Sequence, residues 1–169
     1  MTLSFFSPPL RPANEHERQD AVDASGVLRA GPDPTLHAIV TEAARLFGTP
    51  MAAVSIVDRE RQWFAARIGI DEPGSSRAVS LCGHAILTPD RPLVIADAAA
   101  DAHFAGNPMV LGRLGLRFYA GMAILGRDRL PLGALCVIDE RPRGDELPLD
   151  ALAELAAQAG AVIAAGRIG

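Results

Sequence analysis

The sequence predicts one α+β domain in which helices flank an antiparallel sheet. Three observations predict it. Two pairs of short apolar runs are each joined by a tight turn, as in hairpins. Helical patterns stand at both ends of this strand set. Strands and helices never alternate in the way that builds a parallel sheet. The 169 residues suit a single core, and a composition of 49% hydrophobic and 21% charged residues is globular rather than disordered.

The elements follow in order. Residues 1–13 hold Pro8, Pro9 and Pro12 and read as a flexible N-terminal arm. Residues 14–169 read as the domain itself. Asn14 to Ala24 is polar and predicts a short helix, with Asn14 as its cap and Glu17 three residues on. A second helix runs from Pro34 to Phe47: Asp33 caps it, Pro34 suits its first position, and Gly48 ends it. Leu36, Ile39, Val40, Ala43 and Phe47 recur at helical spacing, so one face is buried.

Met51 to Asp58 predicts a strand, and Gln62 to Ile68 its hairpin partner. Gly69 to Ser76, rich in Gly, Pro and Ser, predicts a loop. A short helix is expected over Cys82 to Leu87 and a short strand over Pro92 to Ala96. Asp97 to Arg113 shows little periodicity and predicts a long irregular segment with a helical turn. Arg117 to Leu125 and Leu132 to Asp139 predict a second hairpin, and Leu149 to Ala165 a final helix ended by Gly166.

Composition excludes several functions. All sixteen basic residues are arginine, in keeping with a GC-rich genome, so mechanisms that require a lysine are ruled out. The net charge is −4 and the arginines are scattered, which argues against nucleic-acid binding. Cys82 and Cys136 make neither a metal-ligand spacing nor a disulfide framework, and a reducing cytoplasm is expected. No apolar run is long enough to span a membrane. No carboxylate pair, Ser-His-Asp order or metal cluster marks a catalytic or metal site.

Five motifs in order carry a resemblance. They are Ser80-Leu81-Cys82-Gly83-His84-Ala85-Ile86-Leu87, Pro92-Leu93-Val94-Ile95-Ala96-Asp97, Asp101-Ala102-His103-Phe104-Ala105-Gly106-Asn107-Pro108, Arg117-Phe118-Tyr119-Ala120-Gly121 and Leu132-Gly133-Ala134-Leu135-Cys136-Val137-Ile138-Asp139. Together they resemble bacterial GAF domains of the kind found ahead of histidine kinases and diguanylate cyclases, over roughly Thr35 to Ala165. The resemblance implies a PAS-like antiparallel sheet of five to six strands. The terminal helices would lie on one face, and loops and short helices would form a pocket on the other. It also implies a homodimer through the terminal helices and a sensory role, relayed to a separate histidine kinase or cyclase. It names no cofactor.

The sequence departs from three ligand classes of that family. The cyclic-nucleotide type carries a lysine in its motif, and this chain has none. The bilin-binding type has cysteine followed directly by histidine, whereas Gly83 separates Cys82 from His84. Cys82 is similar to one cysteine of the free methionine-(R)-sulfoxide reductases. The later partner cysteine is missing, because Asp97 to Leu116 contains none. That enzyme, with altered cysteines, is the alternative to a non-catalytic sensor.

A thiolate at Cys82 near the His84 imidazole would be reactive. Against it stands a small buried thiol, with the histidine bonded to a backbone carbonyl, which the usual burial of cysteine favours. Cys136 is expected in the core. The ligand-pocket candidates are Trp63, Cys82, His84, Asp97, Phe104, Asn107, Arg117 and Tyr119, aromatics combined with a few polar groups. Asp97 reads equally as a turn cap and Asn107 as a turn former. Phe118 and Tyr119 are neighbours on a strand, so one packs under the helices and the other faces the pocket.

Overall fold

The computed structural model describes residues 5–144 and 146–166. The ends of the expected arm and of the expected domain, residues 1–4 and 167–169, lie outside the described residues.

Two helices open the chain. In α1 (Glu15–Ser25) the expected Asn14 cap is not made, because its backbone, at φ −100° and ψ 32°, lacks the extended geometry of a capping residue. Helix α2 (Pro34–Phe47) is capped by the Asp33 carboxylate, which accepts from the Thr35 and Leu36 N–H groups at 2.8 and 3.0 Å. Gly48 ends it in the left-handed conformation.

Strands β1 (Met51–Val57) and β2 (Arg61–Ile68) form the first hairpin. The loop expected next contains a strand, β3 (Gly74–Ser76), which pairs with Arg61 to Trp63. Then come α3 (Leu81–Ala85), β4 (Leu93–Ile95) and α4 (Pro108–Leu111). The second hairpin joins β5 (Phe118–Leu125) to β6 (Pro131–Asp139), and α5 (Leu149–Ala165) follows. The six strands lie in the order β3-β2-β1-β6-β5-β4, and every pairing is antiparallel. This is the expected α+β sheet.

Strand alternation divides the core in two. On one face Ala52, Val54, Ile56, Phe118, Ala120, Leu135 and Val137 pack against α1, α2 and α5. Phe47 and Phe118 meet there with ring centroids 6.5 Å apart. On the other face Ala53, Val57, Tyr119, Ala134, Cys136 and Ile138 pack against α3 and the segments around Phe104, Val110 and Leu116. No described helix is long and apolar enough to cross a membrane.

Charged groups fasten α1 to the sheet. The Glu15 carboxylate accepts from Arg18, which is wholly buried, and from Arg77, with contacts of 2.7 to 3.0 Å. Arg77 also donates to the Asp58 carbonyl. Burial opposes ionisation of Glu15, yet the hydrogen bonds from Arg77 and Arg18 prevail and hold its pKa at about 2.

The segment expected as a flexible arm is tethered from residue 5 onward. The Ser7 N–H donates to the His103 carbonyl, and the Gly106 N–H donates to the Phe5 carbonyl. Pro9 lies against Gly83, where an added Cβ would come within 2.8 Å of it. Arg11 donates to the Arg59 carbonyl and the Glu60 carboxylate. The segment therefore lies over α3 like a strap.

Candidate functional site

Six residues from five parts of the chain meet on the loop face of the sheet. Ser55 comes from β1, Gln62 from β2, Ser80 and Cys82 from the start of α3, Tyr119 from β5 and Cys136 from β6. All six are buried. Ser80 caps α3 by accepting from the Gly83 N–H at 2.9 Å. Its hydroxyl donates to Gln62 Oε1 at 2.8 Å, and Ser55 donates to the same oxygen at 2.7 Å. Gln62 Nε2 donates to Ser75. The glutamine thus holds α3 over β1 and fixes where Cys82 sits.

The Tyr119 hydroxyl donates to Cys82 Sγ at 3.1 Å. Its ring lies along the sheet over Gly121, where an added Cβ would overlap the hydroxyl. Gly121 is the register partner of Cys136, so the tyrosine tip lies beside that cysteine as well. Cys82 and Cys136 lie in the same buried cluster, where α3 rests on β6. Ser55 adjoins the Cys82 sulfur, but its single proton serves Gln62. Tyr119 is the side-chain donor that faces Cys82.

The proton affinities follow from this arrangement. The neighbouring Cys136 thiol draws the Cys82 thiol below its ordinary pKa, against the effect of burial and with help from Tyr119. Cys82 in turn pushes Cys136 up, and burial adds to it. Burial pushes Tyr119 up. The Tyr119 hydroxyl donates to Cys82, so the thiolate is favoured there.

The other expected pocket residues lie elsewhere. His84 turns away from Cys82: its Nε2 is 3.0 Å from the Ser7 carbonyl, which can only accept, so Nε2 carries the proton. Burial lowers its pKa. Its ring stands edge-on to Phe104 at 5.0 Å, and this pair supports the strap. Asp97 caps a turn by accepting from the Ala99 N–H. Asn107 caps α4 and donates to the Val79 carbonyl. Arg117 donates to the Val110 and Leu116 carbonyls and ties α4 to β5. These three serve the backbone rather than a cavity.

Trp63 lies on the other face of the sheet. It pairs with Ile56, whose side chain faces the helices, so Trp63 points to the helix side and not to the loop side. There it lines a groove of about 940 Å³ between α2, the loop 26–33, β2 and the end of α5. Arg61 lies over its ring, 4.7 Å from the centroid.

On the loop face, the space above Cys82 and Tyr119 is filled by Leu81, Ala85, Ile86 and Phe104. An open cleft of about 400 Å³ remains at the edge of that face. Met51, Phe64, Ile70 and Met109 give it an apolar floor, and Asp71, Glu72, Arg113 and Glu140 supply charge. None of the eight expected residues lines it. Among the described residues, no three His, Cys, Asp or Glu side chains are placed to share a metal ion.

The profile of the GAF domain family matches residues 31–163. The chain belongs to the GAF domain family. A cyclic di-GMP phosphodiesterase of Pseudomonas aeruginosa is 44% identical to this GAF domain over 139 residues, 82% of the chain. The match covers 24% of that protein, so the chain spans about a quarter of its length. Two solved structures share the fold at 16% identity. The GAF domain of an Acinetobacter phosphoenolpyruvate-protein phosphotransferase superposes with a TM-score of 0.61, covering 89% of this chain and 94% of that one. The blue-light absorbing form of the Thermosynechococcus elongatus PixJ GAF domain gives 0.60, covering 89% and 86%.

Proposed function

We propose that this GAF domain is a non-catalytic regulatory module. A small molecule enters the cleft at the edge of the loop face, and the sheet passes its arrival to the helix layer. A separate effector reads that layer. The observation that carries the reading is the unlike use of the two sheet faces: one carries the open, charge-rimmed cleft, and the other carries the first and last helices. The cleft volume falls within the range of small-molecule sites. A lining that holds Arg113 together with Asp71, Glu72 and Glu140 suits a polar ligand with charge of both signs. Kinship with part of a cyclic di-GMP phosphodiesterase supports an effector that breaks that nucleotide. Exposed Ala157, Ala161 and Ala164 on α5 offer a surface for close helix contact in a homodimer.

Native mass spectrometry of the purified protein, beside its denatured mass, tests the ligand. The expected result is extra mass that denaturation removes and that Arg113→Ala reduces. Equal masses, with no thermal shift across a panel of nucleotides and amino acids, would remove the ligand from the account.

A second reading has one observation in its favour. Cys136 stands beside Cys82, so the thiol pair that methionine-sulfoxide reduction requires is present although the later loop has no cysteine. Neither sulfur lines the cleft, which favours the regulatory reading. Turnover of free methionine sulfoxide with a thiol reductant, abolished by Cys82→Ser, would establish the enzyme instead.

A further inference from the structure

We propose that Cys82 and Cys136 are a redox-modification site, which a hydroperoxide converts to an internal disulfide joining α3 to β6. The chain has two cysteines among its 169 residues, and they lie 54 positions apart. The fold nonetheless brings both to one point on the loop face, with the Tyr119 hydroxyl 3.1 Å from one sulfur. A structural thiol needs only apolar neighbours. This one has a phenol that donates to it and so favours the nucleophilic form of the sulfur, and the phenol's tip lies over Gly121, the register partner of Cys136.

The order of events follows from that geometry. Cys82 attacks as thiolate. A sulfur–oxygen bond forms, the peroxide O–O bond breaks, and the second oxygen leaves as water or an alcohol, taking up the proton that the Cys82 thiol released on becoming the thiolate. Cys82 becomes a sulfenic acid. The Cys136 sulfur then attacks it: the S–S bond forms, the S–O bond breaks, and the hydroxyl leaves as water with the Cys136 proton. The thiol pair loses two electrons and the hydroperoxide gains them. Tyr119 donates first to the thiolate and then to the sulfenic oxygen.

Access lies under the strap. Pro9 covers Gly83, and Ser7 holds His84, on the outer side of the same helix turn that carries Cys82. Both sulfurs are buried while the strap is down. Release of residues 5–9 opens α3 to a small oxidant. The disulfide then draws α3 toward β6, because a bonded S–S distance of about 2.05 Å replaces a van der Waals or hydrogen-bond separation. The inference rests on the regulatory reading for its consequence alone; the covalent step stands without it.

The test uses the full chain. The protein is exposed to hydrogen peroxide, denatured, treated with an alkylating reagent and weighed. The expected product lacks the mass of two hydrogens, takes up no alkyl group, yields one crosslinked peptide pair holding Cys82 and Cys136, and reverts with dithiothreitol. In Cys136→Ser, dimedone should trap a sulfenic acid at Cys82; in Cys82→Ser, Cys136 should stay unmodified. Full alkylation of both thiols after peroxide overturns the proposal, and so does a disulfide formed only between chains. Either result leaves the ligand cleft and the regulatory reading untouched, because native mass and effector activity measure those separately.

Discussion

The two faces of this sheet are built from the same strands but for different ends. The helix face is a continuous apolar layer in which Val54, Ile56, Leu135 and Val137 meet Leu36, Val40, Leu152 and Ile163. The loop face carries smaller side chains and a buried polar group of Ser55, Gln62, Ser80, Cys82, Tyr119 and Cys136. Large apolar residues specify one packing, and their loss is costly. A hydrogen-bonded group can exist in more than one protonation or bonding state. Stability is therefore concentrated on the helix face, and capacity to change on the loop face.

Neighbours on one strand sharpen this contrast. Leu135 faces the helices and Cys136 the loops, and both are fully buried. Leu135→Ala should cost about 2–5 kcal/mol in urea denaturation, through lost burial and a residual cavity. Cys136→Ala removes one sulfur and should cost roughly 1 kcal/mol. Equal losses would break the comparison.

Gly160 probes the seam between α5 and β5. An added Cβ there would lie 2.8 Å from the Leu125 carbonyl oxygen. Gly160→Ala gains helix propensity but pushes the helix off the sheet, so a net loss of about 1–3 kcal/mol is expected. A rise in Tm would show that helix propensity outweighs the contact. Next in size is Ser80→Ala, which removes both the α3 cap and one of the two donors to Gln62. A loss of about 0.5–2 kcal/mol is expected. Hydrogen exchange should quicken in residues 81–86, which lose their cap; unchanged exchange there would show that the cap contributes nothing.

The smallest effect is one of pH. Glu15 has a pKa of about 2 in the folded chain, below its ordinary 4.5. Between those values the unfolded chain holds a proton that the folded chain does not, so acid favours unfolding. The stabilisation is complete above pH 4.5 and is lost as the pH falls toward about 2. Glu15 is partly open to water, so screening limits the loss to the order of 1 kcal/mol. Glu15→Gln should flatten the acid limb of the stability curve; an unchanged limb would assign it to other carboxylates.

Much of the fold was legible in the sequence, and the reason is periodicity. Helix α5 runs from Leu149 to Ala165 as its apolar spacing requires, and α2 has its expected cap, first proline and terminal glycine. Strand β3 was not legible: three residues carry no pattern, and they are a strand only because the edge of β2 is there to pair with. The side chosen by Trp63 depends on the register of β2 against Ile56, which the sequence does not contain. The polar group was hidden for the same reason. Ser55 looks like a lone hydroxyl in an apolar run and Gln62 like the first residue of a strand, until strand pairing sets them side by side. Cys136 was readable as core but not as the neighbour of Cys82, since that contact joins a short helix to the sixth strand. The arginine network of Arg18 and Arg77 around Glu15 escaped notice because charged residues on a polar helix ordinarily face water.

The central claim is that a change on the loop face is felt in the helix layer. Tyr119→Phe tests it without a ligand, since it removes only the hydroxyl that reaches Cys82. Tyr119 adjoins Phe118, which packs against Phe47 of α2 on the opposite face. Amide hydrogen exchange should be compared peptide by peptide between wild type and variant. The account predicts altered exchange in α2 and α5 as well as in α3. Exchange that changes in residues 81–86 alone would contradict it and leave the two faces as independent halves of one core.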